Sequence, residues 1–244
     1  MRVKSLLLSL FCCFLLNLFC FADANLILHL RFDEGSGVIA KDSSGRGHDA
    51  TLVNPTWEEF GQQGKALRLN GQDAYIELPA HEDFDNLKNF TFSLWFKAES
   101  YPYGMGLFGR GNYNNGWNTS IFRSFVALSG RQLKPAVLYT TFTAGTKPIQ
   151  PFYHLVITGE PSQDDQAQMA VRYYVNGKLR STREGLNALN IGTGCLPSPK
   201  TPITIGKFSS NSCQWFNGIL DEVKCFNRTL TADEIAAEYK AVST

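Results

Sequence analysis

After a first apolar stretch, the chain reads as short hydrophobic runs separated by turn residues. The runs are rich in β-branched and aromatic residues. Short runs of this kind at regular spacing are typical of the strands of an antiparallel β-sandwich. The pattern predicts strands over residues 26–32, 66–69, 74–78, 90–96, 120–128, 136–142, 152–158 and 171–175.

The segment 216–239 (FNGILDEVKCFNRTLTADEIAAEY) combines a strand that holds an acidic pair with a capped helix. Val223 and Cys225 fall on one face of the strand and Lys224 on the other, which is the period of a half-buried strand. Asp221 shares the parity of Val223, so its carboxylate points to the buried side unless a bulge intervenes. A buried carboxylate needs hydrogen bonds, a cation or a metal.

Two local signals predict where elements begin and turn. Thr231 and Glu234 have the spacing of a capping box, in which each residue satisfies a free N–H of the other. The helix that follows would dock Ile235 and Tyr239, four residues apart, onto the sheet. The Asn-Gly pair at 176–177 predicts a type I′ hairpin, because both residues accept a positive φ.

This series of segments resembles the LamG-like jelly-roll domains of the concanavalin A-like lectin/glucanase superfamily. The strand GILDEV, the turn NRTL at 227–230 and the short helix match the end of such a domain. The chain departs from the family at Cys225, where an aliphatic residue is usual, and at 152–153, where a tryptophan is usual. The other matching segments follow in family order at 28–37, 42–52, 64–79, 90–97, 153–158, 173–179 and 202–206.

The resemblance implies an all-β fold. We expect an antiparallel two-sheet jelly-roll sandwich with one short C-terminal helix. No linker, charge block or internal repeat divides the chain after residue 24, and β-sandwiches reach about 200–250 residues as single domains. The sequence therefore predicts one LamG-like domain over residues 25–244.

The first 24 residues have the three parts of a secretory signal peptide. A basic start precedes an apolar run over 6–21, and the A-x-A cleavage site is Ala22-Asp23-Ala24. A membrane anchor is the alternative, but a spanning helix needs about 20 apolar residues, and this run is shorter and ends at an aspartate. We predict that the protein is secreted, extracellular or periplasmic, and has no membrane span after cleavage.

Removing the predicted signal peptide leaves the chain formally neutral. Two of the 23 basic residues and one of the 22 acidic residues lie in this peptide, which leaves 21 of each. A nucleic-acid or anionic-membrane partner favours a basic footprint. The composition therefore predicts neither partner.

Three cysteines follow the signal peptide, so one thiol is free or intermolecular. Cys195 and Cys213 flank the predicted strand 202–206 in polar, loop-like surroundings, and we predict a disulfide between them. Cys225 lies on the apolar face of the closing strand. It is expected to be a buried free thiol that packs as a small hydrophobe.

The superfamily includes glycoside hydrolases, whose catalytic glutamates lie on one strand as E-x-D-x-x-E or E-x-D-x-E. The sequence contains neither pattern, and it contains no G-x-S-x-G, H-E-x-x-H or phosphate-binding glycine loop. His154 lies in an apolar strand without an acidic neighbour in sequence and is predicted to be structural. We predict no catalytic residues.

Trp95 poses a separate question. It has the opposite parity to Phe92, Leu94 and Phe96 on its predicted strand. One sheet face therefore carries a large ring that is either covered or functional.

Calcium is the metal that the resemblance implies, because members of the superfamily often hold a structural Ca²⁺ near the first and last strands. Hard oxygen ligands are available there in Asp33, Glu34, Asp42 and Asp221. We predict Asp42 and Asp221 as calcium ligands. Alternatively, Asp42 makes an Asx-turn, and Asp221 accepts backbone N–H bonds.

Two glycine-rich loops, at 101–118 and 211–217, combine aromatic rings with amides. Sugar binding needs this mixture, since rings cover the apolar face of a sugar and amides bond its hydroxyls. The predicted ligand-binding residues are Tyr113, Asn114, Trp117 and Trp215. Alternatively, both tryptophans fold back onto the core.

The sequence thus favours a secreted, non-catalytic module that binds carbohydrate. The alternatives are an extracellular protein-interaction, structural or adhesion module and, least favoured, a polysaccharide-active enzyme. Three N-x-[ST] sequons, at Asn89, Asn118 and Asn227, are glycosylation sites if the organism is a eukaryote.

Overall fold

The structure is a computed structural model that describes residues 23–85, 87–100, 105–110, 117–121, 125–130, 133–139, 152–164, 168–187, 201–208 and 215–243. These residues form sixteen strands, one α-helix and one 3₁₀ turn, Glu82–Phe84. The strands are β1 (Leu26–Leu30), β2 (Ile39–Ala40), β3 (Ala50–Val53), β4 (Thr56–Glu58), β5 (Ala66–Asn70), β6 (Tyr75–Leu78), β7 (Phe90–Ala98), β8 (Met105–Arg110), β9 (Trp117–Ile121), β10 (Phe125–Gly130), β11 (Leu133–Tyr139), β12 (Tyr153–Pro161), β13 (Gln168–Val175), β14 (Lys178–Asn187), β15 (Ile203–Ile205) and β16 (Asn217–Phe226), and the helix is α1 (Ala232–Val242).

The strands form two antiparallel sheets. The first has the order β14-β13-β12-β7-β16-β5-β4, with β1 also paired to β16, and the second has the order β11-β10-β9-β8-β15-β6-β3-β2. The last strand therefore lies in the middle of the first sheet, between strands from early in the chain. This arrangement and the short C-terminal helix confirm the predicted two-sheet jelly-roll sandwich.

The hydrophobic core lies between the sheets, because alternate residues of each strand turn inward. In the first sheet, Leu94 lies opposite Leu155 and Phe92 lies opposite Ile157. All four side chains are buried. Phe92 also contacts the second sheet, where the centroid of its ring is 4.7 Å from that of Phe108.

The predicted Asn-Gly hairpin is confirmed, and one predicted strand is corrected. Asn176 and Gly177 have φ values of +51° and +70° and join β13 to β14. The run predicted as one strand over 120–128 is two strands, β9 and β10, which pair with each other. The polar pair at 123–124 interrupts the apolar run in the sequence, and residues 122–124 lie outside the described residues.

Helix α1 covers part of the outer face of the first sheet. It begins with the predicted capping box: Thr231 Oγ1 accepts the N–H of Glu234, and Glu234 Oε2 accepts the N–H of Thr231. Ile235 is fully buried. The cluster around it contains Val156, Tyr174, Phe226 and Leu230. The predicted docking of the helix on the sheet is confirmed.

A bulge in β16 places Asp221 on the opposite face from the one its parity predicts. Glu222 has a φ of +49°, and the register against β7 shifts between Asp221 and Lys224. Since one extra residue exchanges the faces of a strand, Asp221 lies opposite Trp95 on the outer face, while Val223 belongs to the core. The bulge is the exception that the parity argument allowed, so Asp221 does not point into the core, although the residue is fully buried.

Helix α1 has 11 residues. Among the described residues, no helix has the length and apolar character needed to cross a membrane.

Candidate functional site

Three side chains form a half-buried group at one end of the second sheet, which we call the aromatic cluster: Tyr75, Lys207 and Trp215. The ring centroids of Tyr75 and Trp215 are 5.6 Å apart, with the planes tilted by 53°. Lys207 Nζ lies 3.6 Å from the Tyr75 centroid and 5.4 Å from that of Trp215. An ammonium over aromatic faces is a favourable cation–π arrangement.

The local backbone explains why Trp215 lies at the surface. Its neighbour Phe216 is fully buried, and the Phe216 N–H donates to Gly206 O at 2.7 Å. Lys207 and Trp215 face each other in an antiparallel bridge. Because successive residues of an extended chain point to opposite sides, anchoring Phe216 in the core turns Trp215 outward.

Two asparagines, Asn70 and Asn217, lie opposite each other on β5 and β16, within five residues of Tyr75 and Trp215 respectively. Asn217 Nδ2 donates to Ser100 Oγ at 2.7 Å. The turn before Tyr75 is closed by Asn70, whose Oδ1 accepts three backbone N–H bonds, from residues 72, 73 and 74. Aromatic faces with a nearby cation and amides suit a ligand that has an apolar face and hydroxyl groups.

The predicted ligand residues do not all lie at this end of the sheet. Trp117 pairs with Arg110, whereas Ile205, two residues before Lys207, pairs with Phe108, which puts Lys207 level with Gly106. Trp117 and the aromatic cluster therefore lie toward opposite ends of β8, about 13 Å apart along the strand at 3.3 Å per residue. Tyr113 and Asn114 lie outside the described residues, and so does the side chain of Trp117.

Sequence reasoning found Trp215 but missed Tyr75 and Lys207. Tyr75 follows a turn and Lys207 follows a glycine, and neither residue belongs to a recognisable motif. Only the pairing of β15 with β6 brings them together.

A polar cleft of about 360 Å³ lies on the first sheet, where β12 and β13 meet. Arg172 forms an ion pair with Glu160, and Ser162 Oγ donates to Glu184 Oε2 at 3.3 Å. The described residues that line the cleft include no aromatic side chain. The cleft offers hydrogen-bonding groups without a stacking surface.

Asp221 holds the loop between β4 and β5 against the last strand. Its Oδ2 accepts the N–H groups of Gln62 (2.8 Å) and Gln63 (2.9 Å), and its Oδ1 accepts that of Glu222 (2.8 Å). Gly61 allows this approach, since a Cβ there would lie 2.6 Å from Asp221 Oδ2. Burial raises the pKa of Asp221 to about 7, and the adjacent Glu222 adds to the rise, while the three N–H donors oppose it.

Asp42 has a similar set of donors. Its oxygens accept the N–H groups of His29, Ser44 and His48, all at 2.9 Å, and the hydroxyl of Ser44 at 2.8 Å. Burial raises its pKa, but these bonds outweigh it and hold the pKa of Asp42 below its usual value. A calcium ion at Asp42 or Asp221 would compete with these donors, and calcium binding there stays a prediction.

Glu222, the second member of the acidic pair, is also engaged. Its Oε2 lies 2.7 Å from His29 Nε2. Burial raises the pKa of Glu222, but the hydrogen bond and charge of His29 and the charges of Lys224 and Arg31 lower it overall. The pair therefore ties β16 to β1 and to the 61–64 loop.

His154 lies within hydrogen-bonding distance of a serine and near a glutamate. His154 Nε2 is 2.9 Å from Ser93 Oγ and 3.7 Å from Glu238 Oε2. Both the serine and the acid face the same ring nitrogen, whereas a catalytic triad needs them on opposite nitrogens. Burial lowers the pKa of His154 to about 4, and the ring is fully inaccessible to solvent. These features fit a structural histidine.

Cys225 is a buried free thiol, as predicted, and burial raises its pKa. Cys195 and Cys213 lie outside the described residues, so their disulfide stays a prediction. Of the three sequon asparagines, Asn89 and Asn227 are exposed.

A family model described as Laminin_G_3, of the concanavalin A-like lectin/glucanases superfamily, matches residues 70–236. Comparison with curated protein sequences found no match. Among solved structures, the chain is similar to Domain 4 of AbnA, a GH43 extracellular arabinanase from Geobacillus stearothermophilus, in complex with arabinotriose. The identity is 20% and the TM-score 0.62, over 90% of this chain and 98% of that one.

Two toxin structures are similar as well. The binding domain of Paraclostridial Mosquitocidal Protein 1 is 19% identical with a TM-score of 0.63, over 89% of this chain and 52% of that one. A botulinum neurotoxin type C, whose cell entry depends on interaction with two ganglioside molecules, is 15% identical with a TM-score of 0.69, over 92% and 53%. This chain spans about half the length of these toxin chains, and at such identities the likeness establishes the fold alone.

Proposed function

The chain belongs to the Laminin_G_3 family of the concanavalin A-like lectin/glucanases superfamily, and we propose that it is a secreted, non-catalytic module that binds carbohydrate. Domain 4 of AbnA, which has the same fold over nearly its whole length, was solved with arabinotriose. The botulinum neurotoxin type C structure involves gangliosides. Both neighbours support a glycan as the first ligand class to test.

The observation that carries the proposal is the aromatic cluster. Two rings and an ammonium group lie half-buried at one end of the second sheet, and the amide of Asn217 follows Trp215 by two residues. The rings can cover the apolar face of a sugar, while Lys207 and the polar rim bond its hydroxyls. The polar cleft lacks aromatic lining among the described residues, so we assign the sugar site to the aromatic cluster.

The acidic groups favour binding over catalysis. Glycoside hydrolysis needs two carboxyl groups that flank an accessible bond. Asp221 and Glu222 are buried and bonded to backbone N–H groups and to His29. Neither carboxylate reaches a surface that a polysaccharide could approach.

A glycan array followed by calorimetry with the best glycan tests the proposal. We expect Trp215→Ala and Tyr75→Ala each to weaken binding at least about tenfold, a loss of ~1.4 kcal/mol. Phe60→Ala is the matched control, since Phe60 is an aromatic residue with 86% exposure outside the cluster, and it should bind like the wild type. Trp117→Ala reports whether the opposite end of β8 contributes.

Each outcome has a distinct meaning. If Trp117→Ala weakens binding and the cluster variants do not, the site lies at the other end of β8, and the assignment to the aromatic cluster is wrong. If no glycan binds, the carbohydrate proposal fails and the extracellular protein-interaction module becomes the leading function. Turnover of a polysaccharide by the purified protein would contradict a non-catalytic role.

Secretion with cleavage before Asn25 is part of the same proposal. The carboxylate of Asp23 contacts Arg228 at 2.5 Å, and Arg228 also contacts Glu234 at 2.8 Å. Cleavage would therefore leave Arg228 paired with the start of helix α1. Mass spectrometry of the protein from the culture medium should show a chain that begins at Asn25, and an intact N-terminus would contradict the signal peptide.

We also propose that Asp42 and Asp221 are calcium ligands, as the family resemblance implies. A cation bound only by the native protein raises its thermal midpoint. Calcium added to chelator-treated protein should raise the midpoint of the wild type and not that of Asp42→Asn. An unchanged wild-type midpoint would leave both carboxylates with their hydrogen bonds alone.

A further inference from the structure

Two parts of the chain that are distant in sequence bring three side chains together at the edge of the sandwich, away from the aromatic cluster: His48, and the nearby pair His81 and Asp83. One ligand atom of each lies within 4.8 Å of those of the other two. We propose that they form a binding site for a divalent transition-metal ion, with Zn²⁺ as the ion to test. The site is independent of the proposed sugar binding.

The backbone fixes each ligand separately. His48 follows the turn that Asp42 closes, and its own N–H donates to Asp42 Oδ2 at 2.9 Å. His81 and Asp83 flank the start of the 3₁₀ turn Glu82–Phe84. The ring of His48 packs against Phe84, with centroids 4.9 Å apart. Two rigid turns, one from each side, therefore hold the ligands in place without a metal.

The distances suit a small ion with nitrogen ligands. His48 Nε2 lies 2.8 Å and His81 Nδ1 lies 3.6 Å from Asp83 Oδ2. Zinc binds imidazole nitrogen and carboxylate oxygen at about 2.0–2.2 Å in tetrahedral geometry, which places neighbouring ligand atoms about 3.4 Å apart. The observed separations bracket this value, so small side-chain rotations would complete the geometry.

At His81, the hydrogen bond shows which ring nitrogen carries the lone pair. The N–H of Asp83 donates to His81 Nδ1 at 3.2 Å, which makes Nδ1 the unprotonated nitrogen of that ring. Metal ligation needs this neutral form. The bound ion would replace this bond and the one that His48 Nε2 donates to Asp83 Oδ2 at 2.8 Å, since an ionised carboxylate only accepts. Zinc binding therefore also releases the proton of His48 Nε2.

Exposure allows the ion to enter and leaves room for a further ligand. The side chain of His48 is 4% exposed, while that of Asp83 is 27% and that of His81 is 46% exposed. The site is therefore closed on the side of His48 and open to solvent on the side of His81 and Asp83. Three protein ligands leave the fourth tetrahedral position for water or for a side chain of a partner.

The ligand set selects the class of metal. Two imidazoles with one carboxylate suit zinc, copper, nickel or iron, whereas calcium and magnesium need mainly oxygen ligands. The site therefore differs in chemistry from the calcium site that the family resemblance implies. In the sequence only His81 and Asp83 are close together, and His48 joins them through the fold.

The test uses the mature chain without an affinity tag, stripped of metal, and a fluorescent zinc chelator as competitor. We expect one Zn²⁺ per chain and a rise in thermal midpoint with Zn²⁺ that Mg²⁺ at the same concentration does not give. His81→Ala and Asp83→Asn should each weaken Zn²⁺ binding by at least about tenfold. Removing a residue that only hydrogen-bonds to a metal ligand already costs about tenfold or more, and these two residues would bind the ion directly. Glu82→Gln, in the same turn but outside the cluster, should bind like the wild type.

The readout is the difference with and without Zn²⁺ for each variant, so a general loss of stability does not affect it. His48 is left unchanged because it is buried and its replacement would disturb folding. No saturable binding, or equal Zn²⁺ affinity in the wild type, His81→Ala and Asp83→Asn, would overturn the proposal. The three residues would then be a hydrogen-bonded group that stabilises the 3₁₀ turn.

Discussion

Two aromatic groups on this molecule have similar residues and opposite accessibility. On the first sheet, Trp95 stacks on His154 with centroids 4.8 Å apart and on Tyr239 at 5.5 Å, and Trp95 is 2% exposed. On the second sheet, Tyr75 and Trp215 have a comparable spacing of 5.6 Å but stay half-buried.

The difference comes from helix α1, which supplies Tyr239 as the cover of the first group. Trp95 lies opposite in parity to the core residues of β7, so it starts on an outer face, like Trp215. Helix α1 covers the group around Trp95. Among the described residues, no helix covers the aromatic cluster. Accessibility, not composition, is therefore what separates a structural aromatic group from a candidate binding site.

The largest effect expected from this comparison is on stability. Trp95→Ala removes a buried tryptophan and should lower the free energy of unfolding by about 3–5 kcal/mol. Trp215→Ala, at a half-exposed position, should lower it by only about 1 kcal/mol while weakening glycan binding. Urea unfolding at equilibrium measures the loss of stability in each variant. Equal losses for the two variants would contradict the distinction between the covered and the open aromatic group.

The next prediction concerns Asp221, which lies opposite Trp95 and holds the 61–64 loop. Asp221→Ala leaves three backbone N–H groups without their acceptor and should cost about 3 kcal/mol, since each buried donor that loses its partner costs about 1–3 kcal/mol and solvent can reach some of them. Asp233→Ala, at an exposed position in the first turn of α1, is the control and should cost less than about 1 kcal/mol. A small loss for Asp221→Ala would show that the 61–64 loop holds its place without this carboxylate.

A pH titration examines the covered group itself. Burial lowers the pKa of His154 to about 4 from an ordinary 6.5. Between these pH values the unfolded chain binds a proton at His154 and the native protein does not. The contribution of His154 is complete above pH 6.5 and is lost as the pH falls toward 4, by about 3 kcal/mol. The charged or polar groups that face the ring are Ser93, Glu238 and Lys224.

The measurement is the difference in unfolding free energy between the wild type and His154→Gln at each pH. A difference is needed because Asp221 titrates in the same range with the opposite sign. Its raised pKa makes the native protein hold a proton that the unfolded chain releases, so its contribution falls as the pH rises from about 4 to about 7. A difference that does not change with pH would mean that water reaches His154.

The smallest effect concerns the start of the covering helix. Thr231→Ala removes the side-chain acceptor of the capping box and should cost about 1 kcal/mol, with faster hydrogen exchange of the α1 amides. Thr231→Ser keeps the hydroxyl and should behave almost like the wild type. If both variants exchange alike, packing of Ile235 and Tyr239, and not the cap, sets the stability of the helix.

Local patterns predicted the parts of the fold that depend on short-range chemistry. The capping box at Thr231, the hairpin at Asn176 and the buried thiol of Cys225 follow from neighbouring residues, and the structure has all three. The predicted strand over 120–128 failed because an apolar run does not show where a chain turns back.

The candidate site was predictable only in part. Trp215 stood out by composition, but its partners are Tyr75 on β6 and Lys207 just after β15, which only the pairing of these two strands brings together. The pairing of β8 with β9 places Trp117 at the other end of β8.

The sequence by itself determined the class of fold, the family, the hairpin at 176–177 and the start of the helix at Thr231, because alternation, turns and caps act between residues that are close in sequence. It did not determine every strand, since β8 lies within the predicted loop 101–118. The tertiary structure decided which side Asp221 faces, which aromatic group helix α1 covers, and that His48, His81 and Asp83 meet. Each of these depends on a bulge, a register or a docking contact between residues far apart in the chain, and such contacts leave no periodic signal in the sequence.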